Sequence, residues 1–182
     1  MNRKITNEEL HRLSAEEFRK ARKFPLMLIL DNVRSKHNVG SIFRSADAFR
    51  AAKILLCGIT ATPPDNEIHK SALGAENTVA WEYFPRTSEA VHYARSQGYL
   101  IAGIEQTEQS LSLETFRPEK GKKYAFVFGH EIKGVAQEII DGCDFCLEIP
   151  QYGTKHSLNV AVSAGIILWE ICRQIKAFST AE

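Results

Sequence analysis

Ile149-Pro-Gln-Tyr-Gly-Thr-Lys-His-Ser-Leu-Asn-Val-Ala-Val-Ser-Ala-Gly165 is the stretch on which the reading of this 182-residue chain turns. A short apolar strand ends at Pro150, a loop carrying Gly153 follows, and Ser157-Leu-Asn159 opens a long, almost uncharged helix. Serine is a favoured N-cap, and the first turn of a helix leaves backbone N–H groups without partners inside the helix. Such a turn either caps a core helix or faces a polar ligand that approaches the backbone closely. Taken alone, the segment leaves both readings open.

Two further stretches repeat the pattern. Leu26-Met-Leu-Ile-Leu30 is an apolar strand that runs into a polar turn, and Asn38 and Gly40 lead into a helix on which Ile42, Phe43, Ala46 and Phe49 form an apolar face. Arg44 sits one turn inside that helix. Tyr124-Ala-Phe-Val-Phe128 is again an apolar strand; it meets Gly129, with Glu131 and Gly134 following. Three strand ends thus deliver glycine and polar groups into loops, which is where open α/β sheets place their ligands.

Around these anchors the chain alternates. Strands are expected at 26–30, 53–58, 78–83, 99–104, 124–128 and 145–149, and helices at 39–51, 67–73, 87–97, 135–141 and 157–177. Residues 106–121 read as loop with room for a helical turn. The alternation predicts an α/β fold with a mainly parallel sheet and flanking helices. Thr6-Asn-Glu-Glu9 and Ser14-Ala-Glu-Glu17 both fit the capping-box pattern, so residues 6–23 are expected to form two short helices or one kinked helix. The last helix is apolar nearly all round as far as Arg173 and Lys176, so it is buried either in a core or against a second subunit, and Trp169 suits such an interface.

Composition bounds the class. With 44% hydrophobic and 25% charged residues the chain resembles one globular unit with a proper core. No apolar run approaches the roughly 20 residues that span a bilayer, so no membrane association is expected. The charged N-terminus lacks the apolar core of a signal peptide, and a cytoplasmic location is expected. Cys143 and Cys146 have CxxC spacing, but no second ligand pair lies nearby and they flank a strand rather than open a helix. Reduced structural thiols are expected here, with no metal. The net charge of +1 conceals an asymmetry: residues 1–57 hold 12 Lys and Arg against 6 Asp and Glu. That half either meets a phosphate backbone or is a solvated basic surface.

The dinucleotide and P-loop glycine patterns and the hydrolase nucleophile elbow are all missing. Ser157 follows His156, but neighbours at a helix start face different ways, which disfavours a serine nucleophile. His37, His130 and His156 lie in the three loops, each either a loop histidine or a candidate base.

Together, Asn38-x-Gly40-x-x-x-Arg44, Gly129-x-Glu131-x-x-Gly134 and Ile149-Pro-x-x-Gly153 with Ser157-Leu-Asn-Val160 resemble the three ordered motifs of the SpoU/TrmH family, RNA ribose 2′-O-methyltransferases of the SPOUT superfamily. The resemblance covers roughly residues 25–175. It implies that 25–182 is the methyltransferase domain and 1–24 a basic N-terminal extension. It further implies a C-terminal deep trefoil knot, a homodimer with an active site shared between subunits, and S-adenosylmethionine as cofactor. Phe128, Gly129, Ile149, Gly153, Ser157 and Leu158 would then hold the cofactor. Arg44 matches the family's catalytic arginine; Asn38, Glu131, Ser157 and Asn159 would position substrate and loops, with Glu131 pairing with Arg44 or bracing its own motif. A guanidinium is a poor base, so Arg44 is better suited to orienting phosphate and ribose than to taking the proton. The RNA, tRNA or else rRNA, would be gripped by Arg12, Arg19, Lys20, Arg22, Lys23, Arg34, Lys36 and Arg44. The chain departs from the family pattern at His130, Ile132, Gln151 and Ala161, which flank these residues without replacing them. A catalytically silent knotted RNA-binding protein and a methyltransferase acting on a base nitrogen are the competing readings.

Overall fold

The computed structural model describes residues 2–6 and 8–179, with side chains as far as 176. Its elements are α1 (Ala15–Lys20), β1 (Phe24–Asp31), α2 (Lys36–Ala48), β2 (Ala51–Cys57), α3 (Asn66–Ala72), β3 (Trp81–Phe84), α4 (Thr87–Ser96), β4 (Tyr99–Ile104), β5 (Leu111–Ser112), β6 (Lys123–Phe128), α5 (Gln137–Ile140), β7 (Phe145–Glu148) and α6 (Val160–Ser179). The seven strands form one sheet in the order β3-β2-β1-β6-β4-β7-β5, and every pairing is parallel. A parallel sheet is covered on both faces, which is why Leu26–Leu30 is apolar without alternation.

Successive residues of β1 nevertheless feed two different cores, because strand side chains alternate between faces. Leu26, Leu28 and Leu30 pack with Ile42 and Phe43 of α2 and with Ala164, Ile167 and Leu168 of α6. Met27 and Ile29 face the other way, onto Ala90, Val91 and Ala94 of α4 and Ile139 of α5. α6 is therefore a core helix along one side. It still exposes Val162 (51%) and Trp169 (60%) along another.

The strand order reverses between β1 and β6: β2 and β3 extend the sheet one way, β6 and β4 the other. The carboxyl ends of the strands beside such a switch form a crevice in doubly wound folds. Here β1 ends at Asp31, β6 at Phe128, β4 at Ile104 and β7 at Glu148. Buried Asp31 ties this edge together, accepting from the Thr87 hydroxyl (2.6 Å) at the start of α4 and from the Ala136 N–H (3.0 Å) just before α5.

The structure corrects several expected boundaries. α2 begins three residues early, because the Ser35 hydroxyl accepts from the Asn38 N–H (3.3 Å) and acts as N-cap. Asn38 thus lies in the first helical turn instead of leading into it. Gly40 is buried against α3: a Cβ there would stand 2.3 Å from the Ile68 carbonyl, so this glycine serves helix packing and not ligand approach. The last helix begins at Val160, not Ser157, and its cap is Asn159, whose Oδ1 accepts from the N–H groups of Ala161 (2.9 Å) and Val162 (3.3 Å). β3 starts three residues late, after a 3-10 turn at Ala75–Asn77, and α5 is only a single turn. The segment 106–121 holds β5, where Leu111 pairs with Leu147.

At the N-terminus both capping boxes form. Thr6 and Glu9 bracket a 3-10 turn, and Ser14 and Glu17 open α1. Phe18 of α1 is buried in the main core, so the basic segment is fastened to the sheet domain by an apolar anchor.

Candidate active site

A cavity of about 720 Å³ lies at the carboxyl ends of β4, β6 and β7. Its walls come mainly from residues 104–107, residues 128–135 and, after β7, residues 147–149, 151 and 156–160. They are the loop after β4 and the glycine-bearing stretches that follow β6 and β7.

The loop after β6 is held at three points. Glu131 reaches across to the start of α2, where its carboxylate accepts from the backbone N–H groups of Arg34 (3.0 Å) and Ser35 (2.9 Å) and from Asn38 Nδ2 (2.9 Å). Glu105 accepts from the Val135 N–H (3.1 Å), and Asp31 holds Ala136 as described. Gly129 makes this path possible, since a Cβ there would fall 2.1 Å from the Gly134 carbonyl carbon and the Val135 nitrogen. At Gly134, φ is +67°, a conformation that glycine adopts freely.

Partial burial disfavours charge on Glu131, but the two backbone N–H groups and the Asn38 amide outweigh it and hold the carboxyl down at about 2. An ionised carboxylate only accepts hydrogen bonds, and this fixes the direction of a relay. Asn38 must present Nδ2 to Glu131, so its Oδ1 faces the other way and accepts from Asn159 Nδ2 (3.1 Å). Asn159 in turn presents its own Oδ1 to the first N–H groups of α6. One carboxylate thereby sets the orientation of two amides and joins all three loops. On the far wall, Gln106 Nε2 donates to the His156 carbonyl (2.9 Å), tying the loop after β4 to the one after β7.

Of the residues expected to hold a cofactor, Phe128, Gly129, Ile149, Ser157 and Leu158 line the cavity, whereas Gly153 does not and stands exposed. Of those expected to act on substrate, Glu131, Ser157 and Asn159 line it, and Asn38 touches it through the relay. Arg44 lies outside the lining, exposed on α2. Glu131 does not pair with it: both carboxylate oxygens are taken by the start of α2. Among the described residues Arg44 makes no hydrogen bond or ion pair. Of the expected RNA-binding cations, Arg19 donates to the Asn77 carbonyl (3.1 Å), and Lys20 and Lys36 pair with Glu16 and Asp65. Arg34 is exposed beside the Glu131 contact, and Arg12, Arg22 and Lys23 line a separate groove.

Sequence reasoning missed Asp31, Glu105 and Gln106. Asp31 ends β1 and Glu105 and Gln106 follow β4, and that position at the end of an apolar strand was their only signal. The four cysteines are free, and burial pushes Cys57, Cys143 and Cys172 up to about 12 and raises Cys146, so they stay thiols. Among the described residues no helix is long and apolar enough to cross a membrane.

The sequence profile of the SpoU rRNA Methylase family fits residues 25–169. The 23S rRNA (guanosine-2′-O-)-methyltransferase RlmB of Vibrio vulnificus is 32% identical over 150 residues, which is 82% of this chain and 60% of that protein. The tRNA (guanosine(18)-2′-O)-methyltransferase TARBP1 of Mus musculus is 32% identical over 157 residues, 82% of this chain but 9% of that far longer protein. This chain thus spans at most about 60% of these relatives. Among solved structures, the A. aeolicus TrmH/SpoU tRNA modifying enzyme superposes with a TM-score of 0.79 at 26% identity, over 91% of this chain and 84% of that one. AviRb of Streptomyces viridochromogenes, in complex with AdoMet, gives 0.77 at 25% identity, over 86% and 63%. With the family profile matching residues 25–169 and a relative 32% identical over 82% of its length, the chain belongs to the SpoU methylase family.

Proposed function

We propose that this protein transfers a methyl group from S-adenosylmethionine to a ribose 2′-hydroxyl of RNA. The observation that carries the reading is the Glu131–Asn38–Asn159 relay, which ties the start of α2 to the two motifs that line a cavity of suitable size and chemistry. A volume of about 720 Å³ is in the range that encloses a small molecule. Phe128, Ile149 and Leu158 offer apolar walls for an adenosine portion, and the Glu105 and Glu148 carboxylates complement a cationic sulfonium. When bound, the cofactor supplies an electrophilic methyl group. The chain's own contribution is to fix the loops through Asn159 and Glu131, present Ser157 to the acceptor and exclude water, which in orientation alone can account for much of the acceleration.

Arg44 stands exposed on α2 outside the cavity of its own chain, with no partner among the described residues. This supports a homodimer in which the arginine of one subunit completes the site of the other, and there it orients phosphate and ribose. Exposed Leu158 and Val162, near the cavity mouth and on the first turns of α6, are the apolar surface for such an association. We assign the C-terminal segment a trefoil knot by its family membership, the substrate to tRNA or else rRNA by the relatives' activities, and the location to the cytoplasm. Residues 1–24 then serve as a basic RNA-gripping extension.

The test is incorporation of labelled methyl from S-adenosylmethionine into separate unmodified tRNA and rRNA pools, with Arg44→Ala alongside. Incorporation by the wild type alone supports the reading. RNA binding without transfer replaces it with the silent RNA-binding protein.

A further inference from the structure

A ribose hydroxyl that attacks a methyl group must give up its proton, and the Arg44 guanidinium, already protonated, cannot take it. An imidazole can, and the three histidines of the motif loops are placed differently. His37 stands on the first turn of α2, outside the cavity lining, with its carbonyl accepting from the Ser71 hydroxyl (3.0 Å) of α3. His130 lines the cavity, but its Nδ1 accepts from the Ile132 N–H (3.0 Å). A nitrogen that accepts carries no proton, so the neutral ring holds its hydrogen on Nε2 and spends its basic lone pair inside its own loop. His156 also lines the cavity, and its imidazole makes no hydrogen bond or ion pair among the described residues. Its backbone is nevertheless held, because the His156 carbonyl accepts from Gln106 Nε2 (2.9 Å). α6 begins at Val160, so His156 and Ser157 are loop residues, outside the helical turn that would point neighbours apart. Both line the same cavity, from Cα atoms about 3.8 Å apart. His156 is exposed, which puts its ring at the cavity mouth, where an RNA chain enters, and next to water.

We propose that His156 is the general base of this site. As the ribose oxygen bonds to the methyl carbon and the sulfonium sulfur keeps the electron pair of the broken sulfur–carbon bond, the hydroxyl proton passes to a ring nitrogen of His156. The imidazolium then releases it to water at the mouth. The carboxylates around the ring are less suited, because they are already engaged. Both oxygens of Glu105 accept from backbone N–H groups, those of Val135 (3.1 Å) and Gln106 (3.1 Å). Both oxygens of Glu131 are taken by the start of α2. Glu148 accepts from the Ser110 hydroxyl (2.9 Å), and Glu114 from the hydroxyl of Tyr152 (3.0 Å) in the same loop as His156. The remaining charged groups are Lys133 on the wall formed by the loop after β6 and Lys155, the residue before His156; both are donors only. The inference rests on the methyltransferase reading above and supplies the proton acceptor that Arg44 does not.

The test is single-turnover methyl transfer to the RNA pool that the wild type methylates, followed as a function of pH, with affinity for S-adenosylmethionine measured separately by isothermal titration. General-base catalysis contributes roughly 10²–10⁴-fold, so His156→Gln is expected to lower the rate at least about a hundredfold while cofactor affinity stays within about twofold of wild type. The wild-type rate is expected to fall on the acid side across about pH 8 to 5, the range in which an imidazole changes charge, with a slope of one. His156→Gln is expected to lose that limb, and His37→Gln and His130→Gln, whatever their rates, to keep it. A limb that survives in His156→Gln overturns the proposal, as does its loss in either of the other two variants. An equal fall in cofactor affinity overturns it too, and makes His156 part of the cofactor wall. Transfer by His156→Gln at the wild-type rate removes this assignment alone, whereas no transfer by the wild type removes the methyltransferase reading and this assignment with it.

Discussion

Glu131→Gln tests the relay at its source. The wild-type carboxylate accepts from Ser35 N–H and Asn38 Nδ2 on one oxygen and from Arg34 N–H on the other. A glutamine amide keeps only one acceptor, so whichever way it turns, at least one N–H group faces an NH₂. The least damaging orientation keeps the oxygen toward Ser35 and Asn38 and gives up Arg34. A hydrogen bond to a charged acceptor contributes about 1.5–3 kcal/mol and a neutral one about 0.5–1.5. Because Glu131 is exposed, solvent screening brings these values below the charged range: about 1 kcal/mol for the lost bond and about 0.5 for each of the two that become neutral. The total, about 2 kcal/mol, corresponds to a roughly 30-fold loss of the assembled site at 1.4 kcal/mol per factor of ten. We expect kcat/KM for methyl transfer and affinity for S-adenosylmethionine, by isothermal titration, to fall together by about that factor, since the loop lines the cofactor cavity. Both quantities staying within twofold of wild type would refute the relay as the element that assembles the site.

Gly129→Ala forces a Cβ to within 2.1 Å of backbone at Gly134 and Val135, so the loop after β6 must move. We expect cofactor binding to be lost and the melting temperature to fall by several degrees in calorimetry, as overpacking costs about 1–3 kcal/mol. Arg44→Ala is expected to abolish transfer and leave cofactor affinity nearly intact, because Arg44 lies outside the cavity; equal loss of both in transfer and titration assays would remove it from the substrate side. The depressed Glu131 carboxyl links the loops to pH. Its folded value of about 2 lies below the ordinary 4.5, so its contribution is present above pH 4.5 and is lost as pH falls through about 2. The stability difference between wild type and Glu131→Gln, by thermal melts, should shrink across that window.

The parallel sheet was legible because five long apolar runs, each followed by glycine or polar residues, admit little else. Element ends were harder to read, and for local reasons. Ser35 competes with the Asn38 region for the start of α2, and Asn159 with Ser157 for the start of α6; in each case both candidates are good caps, and tertiary contacts choose between them. Asn159 is the cap because its Nδ2 is already committed to Asn38. β5 is two residues long, too short for any periodicity, and exists only because β7 lies beside it. Phe128, Gly129, Glu131, Ile149, Ser157, Leu158 and Asn159 of the motifs line the cavity while Arg44 and Gly153 do not, and the residues that brace the motifs from outside carried no local signal. Asp31 and Glu105 act on Ala136 and Val135 across 105 and 30 residues of chain, and nothing in local sequence announces such a partner. Gly40 was misread for the opposite reason: its motif setting suggested a ligand, while its neighbours are Ile68 and Ser71 of α3.

The most direct test of the central claim is where the methyl group goes. RNA labelled by the wild-type protein from isotopic S-adenosylmethionine is digested to nucleosides and analysed by mass spectrometry with fragmentation at the glycosidic bond. The expected result is a label retained on the sugar fragment with an unmodified base, absent when Arg44→Ala is used. A label on the base fragment would contradict ribose methylation by this site.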